Sequence, residues 1–245
     1  MRQFGLIGKS LSHSFSKIYF EEKFRREHIA DATYSLIELA DIKDITSFFR
    51  QHPDLAGFNV TIPYKQQIIP LLDELSEDAN MVGAVNTVVV QHIDNQIKTK
   101  GYNTDILGFR VSLQGINIPD SALVLGTGGA AAAVTHVLGQ LGCHCTVVSR
   151  SPERGLPYSA LTPDIIQQHR LIVNCTPLGN FPNINEKPDI PYEGISGEHF
   201  LYDLVYNPSE TAFLKEGSMR GAKTMNGLAM LHAQAEAAWN IWKNR

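Results

Sequence analysis

The run Gly126-Thr127-Gly128-Gly129-Ala130-Ala131 has a spacing suited to holding a pyrophosphate. Glycine at 126 allows a tight turn, glycine at 128 lets the backbone approach a charged group, and the small Ala131 lets a helix lie against the preceding strand. Gly129 and Ala130 complete the turn, where free amide N–H groups and the positive end of the helix dipole would face the phosphates. A glycine-rich turn by itself is also a common plain connection. Here an apolar run over 122–125 precedes it and an alanine-rich stretch over 130–141 follows, the strand-turn-helix context that dinucleotide binding requires.

The following strand, over 146–149, distinguishes the two nicotinamide cofactors. A site for NAD places a carboxylate about twenty residues after the glycines to hold the ribose 2′-hydroxyl. In this chain the strand runs out into Ser149-Arg150-Ser151, with Arg154 beyond, and no carboxylate precedes Glu153. Two guanidinium groups and two hydroxyls suit a 2′-phosphate, which a carboxylate would repel. NADP is therefore expected. The bland alternative treats Arg150 and Arg154 as surface cations.

Further polar clusters fall where strands should end, the usual place for sites in open α/β sheets. They are Ser12-His13-Ser14-Phe15-Ser16, Asn59-Val60-Thr61-Ile62-Pro63-Tyr64-Lys65, Asn86-Thr87 and Gly101-Tyr102-Asn103-Thr104-Asp105. Each has an ordinary explanation. The serines and Asp105 could cap helices, Lys65 could be a solvated charge and Asn86 a turn residue.

These residues need a scaffold of alternating strands and helices. Strands are expected over 4–8, 34–39, 58–61 and 84–91, the last folding back on 96–102 through Asp94-Asn95. Helices are expected over 16–27, 42–52, 66–72 and 76–81. From residue 121 a second set begins, with strands over 122–125, 146–149, 171–174 and 200–204 and a final amphipathic helix over about 228–243 carrying Trp239 and Trp242 on one face. The pattern is α/β with parallel strands.

Composition narrows the function. At 245 residues the chain can bury one large core or two medium ones, and a net charge of −4 with 19% charged residues offers no field for nucleic acid or an anionic membrane. The opening Met1-to-Ser10 segment has no signal-peptide pattern and no stretch of eighteen apolar residues occurs, so a cytoplasmic protein with small-molecule partners is expected. Three cysteines, Cys143, Cys145 and Cys175, read as reduced packing residues, and nine scattered histidines lack metal-site spacing. No metal is expected.

Taken in order, the clusters make the chain resemble the shikimate dehydrogenase family over essentially its whole length. The carrying motifs are His13-Ser14-Phe15-Ser16, Asn59-to-Lys65, Gly83-Ala84-Val85-Asn86-Thr87, Asn103-Thr104-Asp105, Gly126-to-Ala130, Asn174-Cys175-Thr176-Pro177-Leu178-Gly179 and Met230-Leu231-His232-Ala233-Gln234. The resemblance implies reversible NADPH-dependent reduction of 3-dehydroshikimate to shikimate. It implies that Ser14 and Ser16, helped by Tyr206, hold the substrate carboxylate, and that Thr61, Asn86 and Gln234 bind ring hydroxyls. Lys65 and Asp105 would flank the reacting carbon as the catalytic pair. Thr176 and Leu178 would line the cofactor cleft, with Met225 and Gly227 near the nicotinamide. Reducing a ketone needs a hydride and a proton for the developing alkoxide, and Lys65 can supply that proton, or accept it in the reverse direction.

The implied architecture is an N-terminal catalytic domain of residues 1–103 with a mostly parallel sheet, completed by 227–245, and a Rossmann-like NADP-binding domain of 104–226, with a cleft between them. A monomer or homodimer is expected. Four departures stand out: Ser10 where the family usually has proline, Ala132 where arginine is frequent, Ser149 in place of asparagine, and only residues 155–170 where a longer helix and a further strand normally fit. The nearest alternatives are a quinate or dual quinate/shikimate dehydrogenase, and a non-catalytic sensor that binds shikimate. Retention of both Lys65 and Asp105 weighs against the sensor.

Overall fold

Uninterrupted burial from Phe4 to Gly8 marks the first strand, β1 (Arg2–Gly8), as internal and parallel, since such strands are covered on both faces. The computed structural model describes residues 1–12, 14–93 and 96–244. After β1 come α1 (Ser16–Arg26), β2 (Ala32–Glu38), α2 (Ile45–Gln51), β3 (Leu55–Val60), α3 (Tyr64–Gln67), β4 (Glu74–Leu75), α4 (Glu77–Val82), β5 (Thr87–Ile93) and β6 (Gln96–Tyr102). They form one sheet in the order β2-β1-β3-β5-β6-β4. Pairings β1–β2, β1–β3 and β4–β6 are parallel, while β3–β5 and β5–β6 are antiparallel.

The chain divides into two compact units, Met1–Thr104 with Gln234–Arg245, and Asp105–Ala233. The second contains α5 (Asp105–Ser112), β7 (Ser121–Leu125), α6 (Gly129–Gln140), β8 (His144–Ser149), β9 (Leu156–Pro157), α7 (Pro163–Gln168), β10 (Leu171–Asn174), β11 (Phe200–Asp203), α8 (Ala212–Ser218) and β12 (Lys223–Met225). The last helix, α9 (Leu228–Lys243), contributes residues to both units. The second sheet is wholly parallel in the order β12-β11-β10-β7-β8-β9. Counting from β7, that is the doubly wound order, with its switch point between β7 and β10. The expected α/β class with a second Rossmann-like sheet is what the chain adopts.

Trp242 explains why the C-terminal helix belongs to the first sheet. Its buried ring stacks on Phe4 at 4.8 Å and its indole N–H donates to the Val88 carbonyl at 2.9 Å. It lies directly over Gly57, where any Cβ would overlap the indole. Trp239 adds an edge-on contact with Phe4 at 5.5 Å. Buried Lys23 of α1 then pairs with Glu27 and with Glu236 of α9, each at 2.7 Å. Burying that ammonium is tolerable because two carboxylates surround it.

Several local expectations shift. The strand expected over 58–61 starts at Leu55, because Gly57 is a close-packing position inside it rather than a break. The strand expected from Ala84 starts at Thr87, because the Val85 N–H turns aside to the Lys65 carbonyl at 2.7 Å. The helix expected over 66–72 is a short α3 followed by a 3₁₀ turn containing Pro70, which lacks the N–H an α-helix needs. The Asp94-Asn95 turn and His13 lie outside the described residues. In the abbreviated 155–170 segment the further strand persists as the two residues of β9, and α7 spans six.

Candidate active site

In the first unit, β1 and β3 run parallel, and β6 runs with them because antiparallel β5 stands between. The carboxyl ends of β1, β3 and β6 and the amino end of β5 therefore share one edge. Ser14 and Ser16 follow β1, Thr61 and Lys65 follow β3, Asn86 precedes β5, and Thr104 follows β6. Sheet topology gathers what the sequence spreads over some ninety residues.

Hydrogen bonds join three of these positions, Ser16, Asn86 and Thr104. The Ser16 hydroxyl contacts the Tyr34 phenol, which donates to Asn59 Oδ1 at 2.8 Å. Asn59 Nδ2 donates to the Asn86 carbonyl at 3.1 Å and to Thr87 Oγ1 at 3.0 Å. Asn86 Oδ1 accepts from the Thr104 N–H at 2.7 Å and from the Thr87 and Thr104 hydroxyls at 3.1 Å each. Thr104 Oγ1 reaches Gln234 Oε1 of α9 at 3.4 Å. Because a backbone N–H only donates, it fixes the Asn86 carboxamide with oxygen inward and the amino end turned away. Desolvation holds the Tyr34 phenol well above its ordinary value, so it remains a protonated donor.

Thr61 and Lys65 are half-buried. The Thr61 N–H donates to the Ile7 carbonyl at 2.9 Å. Tyr64 is buried and its phenol donates to the Leu39 carbonyl at 2.6 Å, which with the Val85-to-Lys65 bond fixes the backbone that carries the lysine. The Ser14 hydroxyl accepts from the Ser16 N–H at 3.3 Å, an engagement of a lone pair rather than of its proton. An open depression of about 500 Å³ lined by Arg2, Asp54, Gln91 and His92 lies at the opposite edge of the sheet, away from all of these groups.

In the second unit the glycine turn has the geometry that a pyrophosphate needs. Gly126 has φ 114°, and a Cβ there would come within 3.3 Å of Thr176 Cγ2. Gly128 precedes the 12-residue α6, and no atom lies within 4 Å of where its Cβ would be, so the backbone is open to approach. Gly129 and Ala130 begin the helix and Ala131 is buried; the first N–H groups of an α-helix have no partner within it and can serve an anion. Arg154 donates to the Thr127 carbonyl at 2.7 Å, which holds its guanidinium against the turn, and Arg150 is exposed at the end of β8. Ser149 is buried, its hydroxyl accepting from the Ser151 N–H at 3.0 Å. A dinucleotide with a 2′-phosphate fits this set of donors.

Across the switch point, Asn174 ends β10 and Asp203 ends β11. Asn174 Oδ1 accepts from the Thr176 N–H at 3.0 Å and hydroxyl at 2.6 Å. Its amino group donates to Asp203 Oδ1 at 2.9 Å and to the Leu178 carbonyl at 3.4 Å. Tyr206 is half-buried three residues beyond Asp203. Met225 ends β12, and buried Gly227 packs so closely on Leu204 that a Cβ would overlap its carbonyl. Asn226 Oδ1 caps α9 by accepting from the Leu228 N–H at 3.1 Å. Asp105 is buried at the start of α5.

Sequence motifs alone assign no part to Tyr34 or Asp203. For Asp203 the available signal was an acid ending an apolar strand beside the switch point. For Tyr34 no local signal existed, since an aromatic in a strand normally means packing. Burial raises the thiols, Cys145 to about 12, and among the described residues no cluster of histidine, cysteine and carboxylate could hold a metal.

Residues 6–88 match the family model described as the shikimate dehydrogenase substrate binding domain. A curated relative, the shikimate dehydrogenase (NADP(+)) of Caldicellulosiruptor bescii, is 38% identical over 262 residues, covering 99% of this chain and 89% of that protein. The structure of the Thermus thermophilus shikimate 5-dehydrogenase in complex with NADP(H) and shikimate is similar with a TM-score of 0.86 at 30% identity, covering 100% of this chain and 94% of the other. Quinate dehydrogenase from Corynebacterium glutamicum in complex with NAD is similar with a TM-score of 0.86 at 29% identity and the same coverage.

Proposed function

The chain belongs to the shikimate dehydrogenase family, and from that premise we infer that it catalyses the reversible NADPH-dependent reduction of 3-dehydroshikimate to shikimate. The carrying observation is 38% identity to an NADP(+)-dependent relative across 99% of the chain. The second unit holds NADP: Gly126, Gly128, Gly129 and Ala130 face the pyrophosphate, while Arg150, Ser151 and Arg154 take the 2′-phosphate. Ser149 supports that turn from inside. Thr176, Leu178, Met225 and Gly227 lie toward the nicotinamide.

Ser14, Ser16 and Tyr206 bind the substrate carboxylate through hydroxyl donors. Thr61, Asn86 and Gln234 bind ring hydroxyls, Asn86 through the amino end that its inner hydrogen bonds turn outward. NADPH supplies a hydride to the ketone carbon, the carbonyl electron pair moves onto oxygen, and Lys65 delivers a proton there. Oxidation of shikimate reverses each step, with Lys65 accepting the hydroxyl proton. Asp105 orients Lys65 and the reacting hydroxyl. The reading places this reaction in the cytoplasm, on a monomer or homodimer. Separately, no helix of the described residues is long and apolar enough to cross a membrane.

The likeness to a quinate dehydrogenase with NAD at a TM-score of 0.86 keeps a second reading in view. Following NADP(H) and NAD(H) absorbance with shikimate and quinate side by side separates them. Higher kcat/KM for shikimate with NADP is expected, and preference for quinate with NAD overturns the assignment. Binding of shikimate without turnover would identify a sensor instead.

A further inference from the structure

We propose that Asp203 is a positioning residue that fixes, through one buried carboxylate, both the 174–178 loop facing the cofactor and the 204–206 segment carrying Tyr206. The proposal rests on the functional reading above, which gives Thr176 and Leu178 to the cofactor and Tyr206 to the substrate.

Three donors from three separate segments converge on the carboxylate. Oδ1 accepts from Asn174 Nδ2 at 2.9 Å and from the Val205 N–H at 3.0 Å, and Oδ2 accepts from the Thr211 hydroxyl at 2.5 Å. Asp203 is itself completely buried. An ionised carboxylate only accepts, so it dictates which way Asn174 faces: amino group to Asp203, oxygen to Thr176. With that orientation set, the amide oxygen binds both the Thr176 N–H and its hydroxyl, which ties the start of the loop to Asn174. The Val205 N–H bond fixes the turn leading to Tyr206, and Gly227 closes on the same turn by donating its N–H to the Val205 carbonyl at 3.2 Å. Thr211 completes the arrangement by accepting from the Leu214 N–H at 3.2 Å, which ties the carboxylate to the start of α8. A purely apolar peg could fill the same volume without the cost of desolvating a charge. It could not orient a carboxamide.

Steady-state kinetics on Asp203→Ala and Asp203→Asn, alongside thermal melting, test this. Wild-type turnover of 3-dehydroshikimate is measured first; if it is absent the functional reading fails, whatever Asp203 does. Given turnover, Asp203→Ala should raise KM for both NADPH and 3-dehydroshikimate by about tenfold or more, the loss expected from hydrogen bonds to a charged group. Asp203→Asn keeps an oxygen for Asn174 and Val205 and should return both values to within about threefold of wild type. If the alanine variant does not fold, Thr211→Val, which removes the Oδ2 donor together with the acceptor for the Leu214 N–H, should raise both KM values about threefold. A role in stability alone would lower the melting temperature without moving KM. Folded variants with both KM values unchanged overturn the proposal, as does a change in only one of the two.

Discussion

Lys65 follows a tyrosine whose phenol is bonded to Leu39, and its own carbonyl accepts from Val85, so the backbone around it is fixed before any ligand arrives. Removing its ammonium should therefore cost chemistry more than binding. Lys65→Met is expected to lower kcat by about 10²- to 10⁴-fold, the usual contribution of a positioned acid, with KM for shikimate nearly unchanged and an unaltered circular dichroism spectrum. Asp203 makes a separate prediction about pH. Burial pushes its carboxyl up from 3.8 to about 6, against the lowering effect of bonds from Thr211, Val205 and Asn174. Between pH 4 and 6 the folded chain thus keeps a proton that the unfolded chain has released. Its contribution to stability falls as pH rises through that window and is level above it. The difference is worth about 3 kcal/mol. Urea unfolding of wild type against Asp203→Asn at pH 4 and pH 7 should show the wild type losing about that much relative to the variant. A difference that does not change with pH contradicts a buried titrating acid.

At the level of elements, the proposed function divides the work of holding the cofactor between the glycine turn before α6 and the arginines after β8. In the proposed reading the turn meets a pyrophosphate common to both nicotinamide cofactors, whereas Arg150 meets only the 2′-phosphate that distinguishes them. Arg150→Gln should raise KM for NADPH by about tenfold and leave KM for NADH where it was. An equal change for both cofactors would assign Arg150 to something other than the 2′-phosphate. The motif was legible because its chemistry is local: six consecutive residues with a strand before and a helix after. Ser149 was not. A hydroxyl at the end of a strand looks available in sequence, but alternation of faces turns it inside to the Ser151 N–H. The two-residue β9 was also hidden, since Leu156-Pro157 is too short to show a period.

At the scale of the molecule, the C-terminal helix is structural material for the first sheet as well as the carrier of Gln234. Trp242 sits over Gly57 against Phe4 and Val88, and Lys23 bridges to Glu236 two residues past Gln234. Trp242→Ala should destabilise the chain by about 3–5 kcal/mol, read by urea unfolding. It should also raise KM for shikimate more than KM for NADPH, because Gln234 rides on the same helix; an unchanged substrate KM would detach the helix from the site. The sequence alone determined the α/β class, the glycine turn between strand and helix and the order of the polar motifs from Ser14 to Gln234, because strand periods, glycine spacing and motif order are written along the chain. Tertiary structure alone decided that parallel β1 and β3 with antiparallel β5 bring Ser16, Thr61, Asn86 and Thr104 to one edge. It also decided that Tyr34 links Ser16 to Asn59 and through it to Asn86, and that Asn174 bonds to Asp203. Those relations depend on strand pairing and desolvation between residues far apart in sequence, and no local pattern encodes them.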